Sequence, residues 1–211
     1  MNNAKQNAKI ILKKLKRLFP IPGTILKFSN HWELLVAVML SAQTSDAQVN
    51  KATKNLFQKY PTLQHYVDAH PRTFEKNLSS INYYKTKARH IRQAAKILHE
   101  IHGGVLPKTL EELIKFPGVG RKTALVVLGN AYGIIEGIAV DTHVRRLTHL
   151  FGLTTQKNIK RIEQDLQKIF PKEEWFNLTN RLIAYGRTYC SARCTHKNCP
   201  LLTEINLLDQ K

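Results

Sequence analysis

The stretch Leu113-Ile-Lys-Phe-Pro-Gly-Val-Gly-Arg-Lys-Thr-Ala124 constrains the fold more than any other part of this chain. Just ahead of it, Thr109 and Glu112 have capping-box spacing and predict the start of a short helix. Pro117 cannot continue that helix, because it lacks the N–H and its ring clashes with the preceding turn. Gly118 and Gly120 open backbone angles closed to other residues and leave no side chain in the way. A second helix is predicted from Arg121 through Ala124, Val126, Val127 and Leu128. Two helices joined by a Gly-x-Gly hairpin present backbone N–H groups at a helix N-terminus, an anion site suited to a phosphate. Such a site grips a nucleic-acid backbone and carries no sequence information. A plain inter-helix turn is the alternative, and the flanking Pro117, Arg121 and Lys122 weigh against it.

The rest of the chain reads as helical too. Ile10, Ile11, Leu15, Leu18 and Phe19 share one helical face, closed by Pro20. Trp32 to Leu40 is nearly all apolar and predicts a buried helix. Asp46 is placed to cap a helix carrying Val49, Ala52, Leu56 and Phe57, which stops before Pro61. Ala88, Ile91, Ala95, Leu98 and Ile101 form a further stripe, ended by Gly103 and Gly104. Asn158 precedes a helix with Ile159, Ile162, Leu166 and Ile169. Strand-like alternation is scarce, so the fold class is all-α, with about ten helices expected from typical lengths.

Length and charge bound the function. The 211 residues, 43% of them hydrophobic, suffice for one domain or two small ones with a true core. The longest apolar run, Leu34 to Leu40, is too short to span a bilayer. Lys5, Lys9, Lys13, Lys14, Lys16 and Arg17 make the N-terminus basic, and no apolar block or cleavage site follows, so an intracellular location is expected. The formal charge of +18 favours encounter with polyanions: DNA, RNA or acidic membrane surfaces.

The motifs choose among these. Phe116-Pro-Gly-Val-Gly-Arg-Lys-Thr-Ala124 closely resembles the helix-hairpin-helix of the endonuclease III family. Leu40-Ser-Ala-Gln-Thr-Ser-Asp46, Val49-Asn-Lys-Ala-Thr53, Ala139-Val-Asp-Thr-His143 and Tyr185-Gly-Arg-Thr-Tyr-Cys190 resemble it in the same order, so the likeness covers roughly residues 30–200. The resemblance implies two helical domains flanking a DNA-binding cleft. One is a six-helix barrel with the hairpin, over residues 24–134. The other combines residues 1–23 with 135–211 and ends in a cysteine-containing loop. It implies a base-excision DNA glycosylase/AP lyase acting on damaged double-stranded DNA, with the nucleotide flipped out of the stack.

By that resemblance Lys122 is the nucleophile, attacking the sugar C1′ and forming a Schiff base before β-elimination. Neighbouring positive charge, here Arg121 and the helix N-terminus, favours the neutral amine that attacks. A purely phosphate-binding lysine is the alternative. Asp141 matches the catalytic aspartate, as a proton acceptor or as a stabiliser of positive charge on the sugar. It also stands where a helix N-cap is expected, and both roles can hold together. Gln43 matches a residue that fills the gap left by the flipped base; a buried amide bonded to backbone is its alternative. Tyr83 stands where the family usually places a leucine wedge, and an aromatic ring there can stack on a base or simply pack. Gly118, Gly120, Arg121, Thr123 and His143 complete the expected DNA contacts.

The three cysteines lie within ten residues. The family often carries Cys-x6-Cys-x2-Cys-x5-Cys holding a [4Fe–4S] cluster. Cys190 fits the first position; with Cys199 taken as the third, counting back puts His196 at the second and counting forward puts Ile205 at the fourth, and Cys194 is out of register. The four-cysteine motif is therefore incomplete, and the lyase chemistry requires no cofactor. The open readings are no metal, with Leu201, Leu202, Ile205 and Leu207 packing in the cluster's place; a cluster; or a zinc site at Cys190, Cys194, His196 and Cys199. Adenine glycosylases of the superfamily lack a lysine at the position of Lys122. An 8-oxoguanine glycosylase shares both Lys122 and Asp141, but Leu-Ser-Ala-Gln and Ile81-Asn-Tyr-Tyr84 favour oxidised pyrimidines. A non-catalytic hairpin module has no need of Asp141 or Gln43, and a membrane-surface protein explains only the charge. A monomer is expected.

Overall fold

The computed structural model describes residues 2–20, 23–195 and 199–209, without the side chains of residues 2 and 206–209. All regular structure among them is helical, as the periodicity predicts. The helices are α1 (Asn2–Leu18), α2 (His31–Ser41), α3 (Asp46–Lys59), α4 (Leu63–Asp68), α5 (Pro71–Asn77) and α6 (Tyr84–Glu100). They continue with α7 (Leu110–Leu113), α8 (Arg121–Tyr132), α9 (Thr142–Leu150), α10 (Ile159–Ile169), α11 (Trp175–Thr188) and α12 (Pro200–Asp209), with a 3-10 turn over Lys172–Glu174. The excess over the expected ten comes from short elements such as α4 and α5, which carry no long apolar stripe. No described helix is long and apolar enough to cross a membrane.

The chain divides into two compact units, Ile25–Ile134 and a discontinuous one built from Met1–Thr24 and Ile135–Lys211. In the continuous unit, α2 is buried on every side from Trp32 to Leu40 and packs against α3, α6 and α8. Glu33 is tolerated there because both its ends are satisfied. Its N–H donates to the Asn30 Oδ1 cap at 2.9 Å, and its carboxylate accepts from the Ser29 N–H at 2.6 Å. Two local expectations shift. Ser45, not Asp46, caps α3, accepting from the Gln48 N–H, and Asp46 becomes the first helical residue. Ile101 is 71% exposed, because α6 has ended at Glu100 and the stripe no longer faces the core.

The discontinuous unit packs α1 against α10, α11 and α12. Ile11 and Leu15 of α1 are fully buried among Ile138, Leu147, Phe151, Leu182 and Tyr185. Each such side chain contributes about 1.5–3 kcal/mol of burial. Asn158 caps α10, accepting from the Lys160 and Arg161 N–H groups, while Ile159 is exposed. A buried ion pair locks α11 to the 3-10 turn: Arg181 Nη1 lies 2.6 Å from Glu174 Oε2, and Arg181 Nε donates to Phe19 O at 3.1 Å. Lys16 of α1 holds the other Glu174 oxygen.

Burial alone raises the Glu174 carboxyl pKa, but the hydrogen bonds from Lys16 and Arg181 outweigh it and hold the group below its ordinary 4.5. A depressed carboxylate contributes stability above its unfolded value and loses it as pH falls through the folded one. Glu174→Gln should therefore cost about 3–5 kcal/mol at neutral pH, the penalty for breaking one side of a buried pair. The gap from the parent should narrow below about pH 4.5. Urea melts across pH 3–7 measure this; a gap that stays constant down to pH 3 refutes the assignment.

Candidate active site and nucleic-acid interface

The hairpin forms where the sequence places it. Thr109 caps α7 by accepting from the Glu112 N–H, and its hydroxyl donates to the Glu112 carboxylate at 2.9 Å, so half of the predicted box is made. Phe116 is buried with the His102 ring stacked 5.4 Å from it, and Val119 N–H bonds to Phe116 O at 3.0 Å, closing the turn. Gly118 adopts φ +78, and a Cβ there would meet His90 Nδ1 of α6 at 2.7 Å. Glycine is thus required twice, by angle and by space. Gly120 is the N-cap of α8 with extended backbone and no side-chain cap bond. Arg121 and Lys122 are exposed on the first turn of α8, and Thr123 is half-buried; Ala124, Leu125, Val127 and Leu128 anchor the helix in the core.

Gln43 and Tyr83 stand together in the same unit. They are the two non-glycine residues with positive φ among those described, at 56 and 59. Both are exposed, Tyr83 by 67%. That exposure excludes a buried amide at Gln43 and core packing at Tyr83. Left-handed backbone costs an ordinary residue roughly 1–2 kcal/mol, so the surroundings must enforce it. Asn82 Nδ2 donates to Gln43 O and ties the two turns together. Lys87 of α6, which sequence reasoning missed, donates to the Leu40 and Ala42 carbonyls before Gln43 and to the Thr44 hydroxyl after it. The signal was present: Lys87 occupies the inward register of Ile91, Ala94 and Leu98.

In the discontinuous unit, Asp141 is the N-cap of α9, its Oδ1 accepting from the Val144 N–H at 2.8 Å. The cap fixes the carboxylate at the end of the buried Ile138–Val140 segment. His143 is half-buried, and its Nδ1 is buried with no hydrogen bond. A Cβ on Gly186 would come within 2.6 Å of that nitrogen, so the Tyr185-Gly186 motif makes room for the ring. Lys122 belongs to one unit and Asp141 to the other.

Among the described residues the cysteines sit in or against the apolar core of the discontinuous unit. Cys190 and Cys199 are buried in the core with Leu201 and Ile205, and Leu202 packs partly against it. Arg146 Nη1 donates to Cys190 Sγ at 3.4 Å. The Tyr185 hydroxyl accepts from the Leu201 N–H and sits 2.8 Å from Cys199 Sγ. Burial pushes the Cys190 thiol up to about 11. Cys194 is directed toward Tyr189 O at 3.8 Å. Among the described residues no three His, Cys, Asp or Glu side chains gather as ligands. Three thiols packed with apolar side chains do not fit a [4Fe–4S] cluster, which takes four thiolates. The zinc reading turns on His196, which lies outside the described residues, as does the side chain of Leu207.

This frame of helices around a Gly-x-Gly hairpin is shared with known repair proteins. Residues 36–172 match the family described as HhH-GPD superfamily base excision DNA repair protein. Endonuclease III of Synechocystis sp. is 42% identical over 92% of this chain and 88% of its own length. A solved non-covalent endonuclease III–DNA complex superposes with a TM-score of 0.90 at 40% identity, covering 98% of this chain and 99% of that one. A trapped endonuclease III–DNA covalent intermediate gives 0.90 at 39% identity, covering 98% and 99%. The chain belongs to the endonuclease III family.

The two hairpin glycines should respond differently to alanine. Gly118→Ala combines left-handed strain with the His90 clash and should cost about 2–4 kcal/mol in urea melts. Gly120→Ala, with φ −88 and nothing within 4 Å of the new Cβ, should cost far less. Equal losses would mean that the hairpin is not held by the His90 contact.

Proposed function

We propose that this chain is a base-excision DNA glycosylase with AP-lyase activity, acting on damaged duplex DNA as a monomer in the cytoplasm or nucleoid. The observation that carries the reading is an exposed lysine on the first turn of a helix whose glycine N-cap leaves the cap position without a side chain. The backbone N–H groups there suit a DNA phosphate, gripped through Gly118, Gly120, Arg121 and Thr123. Family membership, and the trapped covalent intermediate formed by a relative 39% identical, support a covalent route.

In this reading the neutral Lys122 amine attacks C1′ of the flipped nucleotide. The C1′–N bond breaks, and its electron pair leaves with the base, which takes up a proton. The sugar ring opens to a Schiff base. Loss of a proton from C2′ then expels the 3′ phosphate, and hydrolysis of the imine restores the amine. Asp141, held by its cap bond, takes a proton during attack or stabilises positive charge on the sugar. Gln43 and Tyr83 enter the stack where the base has left, and His143 contributes a DNA contact. Oxidised pyrimidines are the proposed lesions, on the strength of the Leu-Ser-Ala-Gln and Ile-Asn-Tyr-Tyr segments.

Borohydride reduction on duplex DNA carrying thymine glycol or an abasic site should trap a covalent complex that Lys122→Ala abolishes. No complex on either DNA sinks the bifunctional reading. An adduct that persists in Lys122→Ala reassigns the nucleophile.

We also propose that the chain works without an iron–sulfur cluster, since Leu201 and Ile205 occupy the core beside Cys190 and Cys199. Protein purified without oxygen should lack absorbance near 410 nm and carry only traces of iron and acid-labile sulfide. A full [4Fe–4S] complement would overturn this.

A further inference from the structure

Lys87 is 9% exposed, four residues into α6 and facing the core. A buried ammonium is rare unless its donors are met. Here all three are: Nζ lies 2.7 Å from Leu40 O, 2.6 Å from Ala42 O and 3.3 Å from Thr44 Oγ1. None of these partners is a carboxylate. Two are carbonyls at the C-terminal end of α2, whose last turn holds no basic residue of its own. Lys87 therefore supplies from another helix the positive charge that a helix C-terminus favours.

The partners have a second property in common. They flank Gln43 on both sides, while the backbone N–H of Lys87 donates to Tyr83 O at 3.1 Å. One residue thus holds the turn of Gln43 through its side chain and that of Tyr83 through its backbone. The Asn82–Gln43 bond closes the ring from the solvent side. Both exposed side chains sit on left-handed backbone, a conformation that persists only where neighbouring contacts enforce it.

We propose that Lys87 is a positioning residue for lesion recognition. Its buried ammonium fixes residues 40–44 against the start of α6, so that Gln43 and Tyr83 are presented as a preformed pair to the gap in the duplex. This rests on the glycosylase reading. Preformed presentation removes the ordering cost that loose turns would incur on binding. It also separates two kinds of contact: phosphate contacts at the hairpin, which do not depend on Lys87, and gap contacts, which do.

The test compares affinity for duplex DNA containing a tetrahydrofuran abasic analogue with affinity for the undamaged duplex, at one fixed salt concentration. Lys87→Met keeps the stem and removes the donors. Its preference for the abasic duplex should fall about tenfold or more, the worth of one lost charge-assisted hydrogen bond, while undamaged duplex binds as before. Gln43→Ala should lower the preference similarly, and the double variant should do little further harm, because both remove one function. A role confined to core stability would lower the melting temperature without this non-additive loss of preference. Asn82→Ala loosens the same turn from the exposed side, and carries the test if Lys87→Met does not fold. An unchanged preference in the folded variants, or a loss additive with Gln43→Ala, overturns the proposal while leaving the enzyme reading intact. A parent protein that neither prefers the abasic duplex nor traps under borohydride overturns both.

Discussion

The close approach of Gly118 to the His90 ring sets the path of the chain through the hairpin of the continuous unit. With 2.7 Å available where a Cβ would stand, the chain turns against α6, and α8 begins within three residues. Any side chain at Gly118 would force either the His90 ring or the hairpin to shift. α8 is anchored by Ala124, Val127 and Leu128, which pack toward α2. The position of Lys122 is thus set by packing beneath the hairpin rather than by its own side chain, which is exposed.

α6 serves two purposes through neighbouring turns of one helix. His90 supports the hairpin, and Lys87, one turn earlier, supports Gln43 and Tyr83. Burial pulls the Lys87 amine below its usual range, and His90 is lowered by burial and by Arg89. The two groups that support the hairpin and the Gln43 turn from beneath are therefore less basic than the ordinary forms of their side chains. Surface charge draws the polyanion in, and the interior contacts determine geometry.

The helical fold was legible because long stripes such as Ile11–Leu15 and Ala88–Leu98 match one period, and because glycine and proline punctuate them. The hairpin was legible because Pro117, Gly118 and Gly120 each have a backbone reason to be there. Asp46 was misread because Ser45 and Asp46 are both good caps and only the structure chooses. Lys87 was missed because lysine reads as solvent-facing unless its helical register is checked against the apolar stripe. The packing of Leu201 and Ile205 with Cys190 and Cys199 was one of the readings that the cysteine spacing left open, and the choice depends on tertiary contacts that spacing does not encode.

The discontinuous unit has a consequence for synthesis. Asn7 bonds to Phe151 O, and Lys14 pairs with Glu204, so α1 finds its partners only at the far end of the chain. On the ribosome α1 emerges ahead of residues 25–134, all of which must be made before α9 to α12 exist to receive it. At about 5–20 residues per second, making those residues alone takes roughly 5–20 s. During it the continuous unit has every segment it needs to fold, whereas the apolar face of α1, with Ile11 and Leu15, stays uncovered. Its lysines, Lys5, Lys9, Lys13, Lys14 and Lys16, give that face a rim of like charge, which opposes pairing with a second copy of the same helix.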